Sequence, residues 1–236
     1  MWKRGGMKTD DRMVILLKFG HEHHLTAFRE QGQMHMRTMH YFAAEERNNI
    51  ARGDRFEGAS FIYQPSGLQM TLSHPLLGKH TVDPNDLAGP VILSYTSEAQ
   101  QNIFCMFSLT EPTAKPLLTP EHLHFGSHFV LILNTPEFLE RIKRTVVSMG
   151  LRGEAGLVTY YDDATYAGKI GPFRKPERFA YQKEFRIVVR PGIAPFRNLI
   201  IGDISDITSQ VLPLANLDII VDFSEEAAVA AGWENA

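Results

Sequence analysis

The sequence predicts an α+β fold of strand-rich mixed sheets with few helices, and three observations carry that prediction. Short apolar, β-branched and aromatic runs recur along the 236 residues, each bounded by Gly, Pro, Asp or Asn. Helical patterning is clear in only two segments. Strands and helices do not alternate strictly, which argues against a doubly wound parallel sheet.

In chain order, strands are predicted at 13–19, 59–63, 91–95, 103–107, 129–133, 157–161, 185–189, 199–201 and 217–223. The run Phe185-Arg-Ile-Val-Val is almost continuously apolar, which suits a central strand covered on both faces. The first helix is expected over 22–31, with Leu25 and Phe28 facing inward and Gly32 supplying a left-handed cap. After it, 33–42 reads as a strand-like turn, and 47–58 as an Arg-rich loop too polar and glycine-rich for a core element. The second helix follows Thr135 as N-cap, with Pro136 in the first helical position and Glu137 where the helix dipole favours an acid. Phe138, Leu139, Ile142, Val146 and Met149 form its apolar stripe before Gly150.

Composition bounds the function. With 44% hydrophobic and 22% charged residues, the chain is neither disordered nor fibrous. No repeat or linker divides it, so a single domain over 1–236 is expected, with 1–12 as a flexible N terminus and 224–236 as an acidic C-terminal tail. The one cysteine, Cys105, excludes a disulfide scaffold and a four-cysteine zinc module, and points to a reducing compartment. No run approaches about 18 apolar residues and the start is polar, so a cytoplasmic protein with no membrane contact is expected. Neither G-x-G-x-x-G nor G-x-x-x-x-G-K-[ST] occurs.

The net charge of −3 conceals a gradient. Residues 169–197 hold eight basic side chains and two acidic ones, while 198–236 hold seven acids and no base, so a +6 block precedes a −7 segment. That pattern suits either a polyanion site with its counterweight or charge paired within the fold. Five of the ten histidines lie within 21–40, but their spacing matches no zinc pattern, so they read as a polar helix start and no metal is expected. His122, His124 and His128 read the same way.

Gln182 and Glu184 are two residues apart where the chain enters a strand, which puts both side chains on one face and those of Lys183 and Phe185 on the other. A carboxylate at the mouth of a buried strand is suited to stabilising an oxocarbenium-like ribosyl centre, and the amide beside it to orienting a nucleophile. The bland alternative is an ion pair of Glu184 with Arg186, Lys183 or a distant arginine that anchors the strand end.

Gln182-Lys183-Glu184, leading into Phe-Arg-Ile-Val-Val, resembles the [Gln/Glu]-x-Glu acceptor-loop motif of the ADP-ribosyltransferase superfamily. The wider chain, over about 13–223, resembles a bacterial family found among phage-defence and toxin genes. The pieces are Lys18, the helix at 25–31, 32–42, Asp54-Arg-Phe-Glu-Gly58, Phe104-Cys-Met-Phe-Ser108 and Glu184-Phe-Arg186, in order. The resemblance implies a split β core, NAD as substrate, Glu184 as catalytic acid and Gln182 as the residue that positions the acceptor. The first cofactor motif, an Arg or His ending the first strand, falls on Lys18 or His21. The second, a Tyr or Ser beside the nicotinamide, falls on Tyr41 or Ser60. Arg47 or Arg52 is expected at the pyrophosphate, and Tyr181, Lys183 and Arg186 on the acceptor side. No Ser-x-Ser motif of the arginine-modifying subclass occurs.

RNA is the expected acceptor, from the +6 block and the aromatics Phe173, Phe179 and Tyr181; a protein antitoxin is an expected partner. Two other classes compete. One is a metal-dependent nuclease using Asp54, Glu57, Asp162, Asp163 and Glu184 with Lys183 or Lys169. The other is a non-catalytic defence or antitoxin module that binds a partner.

Overall fold

A computed structural model describes residues 2–4, 15–45, 54, 56–110 and 118–217. Arg47, Arg52, most of the predicted N-terminal arm, the strand expected beyond Leu217 and the acidic tail lie outside the described residues. The architecture is α+β. Nine strands form the main sheet: β1 (Trp2–Arg4), β2 (Ile15–Gly20), β3 (Gln33–Thr38), β4 (Asn102–Leu109), β5 (His128–Ile132), β6 (Arg152–Leu157), β7 (Glu184–Arg190), β8 (Phe196–Ile200) and β9 (Leu212–Pro213). Their order is β1-β6-β7-β4-β2-β5-β9, with β3 branching from β4 and carrying β8. β1 joins β6 in parallel, and the other described pairings of this sheet are antiparallel.

The branch positions the site. Along one edge, β4 pairs with β7 from Asn102 to Phe107. Along the other edge its partner changes: Asn102 and Ile103 pair with Thr38 and Arg37 of β3, whereas Phe107, Ser108 and Leu109 pair with Leu17, Leu16 and Ile15 of β2. Residues 104–106 pair with neither. Beyond Leu17, β2 stays with β5 alone, from Lys18↔Val130 to Gly20↔His128. The sheet therefore forks at 104–106, and helix α1 (Glu22–Gln31) bridges the two tines.

Helices α1 and α3 (Thr135–Ser148) cover one face of the sheet. Leu25, Phe28, Phe138, Ile142 and Val146 pack there on Leu16, Phe104, Met106, Phe185, Ile187 and Val189. On the opposite face, Leu17, Phe19, Phe107, Phe129 and Leu214 form a second cluster, and Met39, Ile103 and Val188 a third. Phe56, Ala59, Ile62, Tyr161 and Ile170 form a separate cluster under a three-stranded sheet of Phe61–Tyr63, Val91–Leu93 and Gly168–Lys169. β7 is central and buried throughout except at Arg190, as its apolar run predicts.

Helix α1 keeps its predicted bounds, and Gly32 closes it at φ 61°. A Cβ there would lie 2.1 Å from the Gly202 carbonyl oxygen, so the cap needs glycine for space as well as for conformation. In α3 the N-cap is Asn134 rather than Thr135, because the Asn134 side chain accepts from the Glu137 amide at 3.1 Å. Met149 is its C-terminal cap and 51% exposed, so the buried stripe ends at Val146.

Two elements depart from expectation. The segment 33–42 is not a turn but β3 followed by α2 (Met39–Glu45), a short helix capped by Thr38, whose Oγ1 accepts from the Tyr41 amide at 3.2 Å. The run at 157–161 is broken at Val158, whose amide bonds to the Glu184 carbonyl; Thr159–Tyr161 then pairs with Arg174–Pro176 in a small sheet of its own.

Candidate functional site

The fork opens a cavity of about 610 Å³ that passes from the α1 side of the sheet to the face bearing Glu184. Lys18, His21, His24, Leu25 and Phe28 line it on the α1 side, and Phe107, His122, Lys175, Gln182, Glu184 and Arg186 on the other. His35, Arg37, Tyr41 and Glu45 stand around it as well. Unpaired backbone at the fork is used rather than wasted. The Cys105 carbonyl, which lacks a neighbouring strand on that edge, accepts from Lys18 Nζ at 2.7 Å, and the same ammonium lies 4.2 Å from the Phe104 ring centroid. Cys105 also hydrogen-bonds the Glu184 carboxylate through its thiol, so it links the two sides of the fork.

Glu184 is the first residue of β7, and the turn before it is unusual. Gln182 ends a 3₁₀ turn (Glu177–Gln182), and Lys183 adopts φ 40°, a left-handed conformation that a side chain with a Cβ rarely takes. The Gln182 and Glu184 side chains thus converge by a kink, not by strand alternation. Lys175 Nζ ties them together, donating to Gln182 Oε1 at 2.7 Å and to Glu184 Oε2 at 3.5 Å. Arg186 holds the same carboxylate oxygen at 3.0 Å and clamps Glu57 with two bonds of 2.7 Å. It also donates to the Pro172 carbonyl at 2.7 Å, while its Nε has no partner.

These charges decide the protonation of the site. Burial alone raises the pKa of Glu184, but the Arg186 and Lys175 cations outweigh it and hold the carboxyl down at about 2. Burial, reinforced by Glu57, pushes Asp54 up to about 7. Burial, with the Glu184 charge beside it, raises the Cys105 thiol, which stays protonated. Glu57, Glu184, Lys175 and Arg186 therefore balance as two anions and two cations, with Glu184 ionised at neutral pH.

Lys18, His21, Tyr41, Gln182, Glu184 and Arg186 are thus brought to one cavity. Lys18 lies at the fork, and His21 stands exposed at the N-cap of α1. Arg186 forms only wall. It is fully buried and spent on internal partners, which corrects its expected place on the acceptor. Ser60 is not brought there: it is fully buried in the small-sheet unit, where its hydroxyl accepts from the Tyr95 amide at 3.0 Å. Tyr181 and Lys183 flank the turn and do not line the cavity. Tyr181 accepts at its hydroxyl from Gln182 Nε2 at 3.3 Å, and the Lys183 carbonyl accepts from Ser108. The sequence expectation of an ion pair at Glu184 is met by Arg186, and Lys175 is a second partner that the sequence reading did not name.

The +6 block is largely paired within the fold. Lys175, Arg186 and Arg197 are buried, Arg190 meets Glu154 at 2.9 Å, and Arg178 meets Asp163. Phe179 is buried and presents no face to a nucleobase, and Phe173 is half-buried against the Met39 cluster. Of the acids proposed for a nuclease, Asp54, Glu57 and Glu184 gather around the Lys175 and Arg186 cations, and the other two are engaged elsewhere. Asp162 caps its own turn, Asp163 pairs with Arg178, and Arg186 stands between Glu57 and Glu184. Among the described residues, no group of three or more His, Cys, Asp or Glu is arranged to hold a metal.

Three contributors escaped the sequence reading. Lys175 was one charge in a block, and only the short sheet pairing Arg174–Pro176 with Thr159–Tyr161 aims it at Glu184. Glu57 was named only as a candidate nuclease acid and as part of the 54–58 motif, and its clamp on Arg186, 129 residues away, was not visible in sequence. His122, read as a polar residue ahead of a strand, is 2% exposed and packs edge-on to Phe107 and Tyr181. It accepts from the Thr119 amide at Nδ1, so Nε2–H donates to the Tyr181 carbonyl at 3.1 Å, and burial lowers its pKa. Comparison with family models, with curated proteins and with solved structures finds no match for this chain.

Proposed function

We propose that the protein is an NAD-dependent ADP-ribosyltransferase of a bacterial defence or toxin system, with nucleic acid, RNA above all, as acceptor. The observation that carries the reading is the convergence of Lys18, Tyr41, Gln182 and an ionised Glu184 on one cavity at a fork in the sheet. The left-handed Lys183 between Gln182 and Glu184 supports it, since backbone held in such a conformation clusters at functional sites.

The residues fit the group they would hold. Both cations meet Glu184 at Oε2, so Oε1 is taken by neither and is the acceptor for a ribose hydroxyl. Tyr41 borders the cavity with its ring, and Lys18 and Arg37 supply positive charge for phosphates. In the reaction the bond between ribose C1′ and the nicotinamide nitrogen breaks, and its electron pair leaves with nicotinamide. Glu184 stabilises the cationic C1′ electrostatically. At a pKa of about 2 it is a poor proton acceptor, so the proton of the attacking group goes to solvent as the new bond to C1′ forms. Gln182, fixed at its oxygen by Lys175, presents its amide N–H to orient that group.

The test is labelled NAD incubated with total RNA and with lysate, with and without EDTA. Label transfer that survives EDTA and vanishes in Glu184→Gln is the expected result; full transfer by that variant overturns the site. RNA cleavage abolished by EDTA would mark a nuclease. Silence in both assays would favour the partner-binding module, for which the internally satisfied ion network around Glu184 is the supporting observation.

A further inference from the structure

We infer that the outer face of the β3–β8 ribbon is a stacking platform for single-stranded nucleic acid, leading into the fork cavity. It rests on the transferase reading only for the role of that strand as acceptor; the binding itself does not depend on it.

The two strands pair antiparallel with Phe196 opposite Arg37 and Asn198 opposite His35. Alternation sends Met34, Met36, Arg197 and Leu199 inward, all buried. The other face presents Gln33, His35, Arg37, Phe196, Asn198 and Ile200, which include one permanent cation and no acid. Burial does not account for the apolar members: Phe196 is 37% exposed and Ile200 53%.

The rings are arranged around Arg37. Its guanidinium lies 4.6 Å from the Tyr41 centroid and 5.4 Å from that of Phe196, and the His35 ring sits 4.5 Å from Phe196. Arg37 makes no hydrogen bond or ion pair among the described residues. Its ring contacts hold it in place while its N–H donors remain available for phosphate oxygens or base edges. Outward aromatic residues on a β-ribbon with an available guanidinium are a known solution for unpaired bases, because every base has a π-face and stacking tolerates sequence. A protein partner would find little apolar surface here, since His35 and Asn198 engage each other at 2.9 Å in the middle of the face. His35, Arg37 and Tyr41 also border the cavity, so a strand laid across the ribbon reaches the site of Glu184 without leaving protein surface.

The probes are fluorescein-labelled oligo(U) and oligo(dT) of about 12 nucleotides, read by anisotropy with the full chain. Saturable binding that weakens between about 50 and 200 mM salt is expected for at least one probe, with the RNA–DNA comparison reporting on the 2′-hydroxyl. Phe196→Ala should weaken it about five- to 150-fold, the range set by losing one stacked base, and Arg37→Ala should weaken it and flatten its salt dependence. Phe196→Trp should retain it, which separates stacking from damage to the fold. No binding of either probe, or wild-type affinity in folded Phe196→Ala and Arg37→Ala, overturns the platform. If these variants behave as expected while labelled NAD is never transferred, the transferase reading fails and the platform stands.

Discussion

Replacing Glu184 by Gln removes a charge and almost no volume, and its cost can be worked from the surroundings. The folded carboxyl sits at about 2 against an ordinary 4.5, and Gln mimics the protonated acid in shape. The difference, 4.5 − 2 = 2.5, at about 1.36 kcal/mol per unit, puts the stability loss near 3 kcal/mol at neutral pH. The folded value is depressed, so this stabilisation is fully present above pH 4.5 and lost as pH falls toward 2. Its source is specific: without Glu184 the buried Lys175 and Arg186 cations face Glu57 and, through space, Asp54, whose own carboxyl is pushed up to about 7. Adding Lys175→Met restores the balance. Urea unfolding at pH 7.5 should therefore find the double variant less destabilised than the sum of the single ones by about 1 kcal/mol or more. Transfer of labelled ADP-ribose should remain lost in both variants lacking Glu184. Additivity to within about 0.5 kcal/mol would refute the coupling through Lys175, and wild-type transfer by Glu184→Gln would refute the catalytic role.

Asp54 predicts the opposite pH dependence. Its folded pKa is raised from 3.8 to about 7, so the stability it allows is full below pH 3.8 and lost as pH rises through 7. Asp54→Asn keeps the Oδ1 acceptor for the Phe56 amide and should flatten that slope, gaining up to about 4 kcal/mol at pH 8; denaturant midpoints at pH 4, 6 and 8 that still decline in the variant would refute it. His122→Ala leaves the Tyr181 carbonyl without its donor and should cost about 2 kcal/mol, with a weaker NAD KM because the Gln182 turn loses its support. Gly126→Ala should cost about 3 kcal/mol in thermal or denaturant unfolding, since a Cβ there would lie 2.3 Å from the Gly20 carbonyl carbon and oxygen at the end of β2; wild-type stability would refute that close approach.

What the sequence disclosed follows the range of the forces involved. Helix α1, the buried run of β7 and most strand centres are local patterns, and hydrophobic periodicity with a glycine stop was enough to read them. Helix α2 escaped because seven residues carry too little periodicity, and its Thr38 cap sits at the end of a strand where it reads equally as a strand residue. At the site, Gln182 and Glu184 were legible as a motif, but the reason offered for their shared direction was not the operating one: a left-handed residue and a lysine bridge replace strand alternation. Glu57 and His122 were illegible because their meaning lies in partners 129 and 59 residues away. The charge gradient misled for a related reason. Eight cations in 29 residues look like a polyanion surface, yet the fold uses five of them as internal struts.

The network around Glu184 has the properties of an anchor and of a catalytic anion at once, and these are less opposed than they look. A carboxylate that is to stabilise a developing cation must remain ionised in a site from which water is excluded, and must not move when the charge appears. Arg186 and Lys175 meet the first condition by holding its pKa at about 2. The Glu57 clamp on Arg186 meets the second, since two bonds of 2.7 Å fix the guanidinium that fixes Glu184. A purely structural acid, however, gains nothing from bordering open space. Glu184 opens onto a cavity, has both cations on a single oxygen, and follows a strained turn whose amide side chain enters the same cavity. The unpaired edge at 104–106 points the same way: its rim sets Lys18, Gln182 and Glu184 among apolar walls such as Phe28, Phe104 and Phe107, and packing alone has no need of charged groups at such a gap.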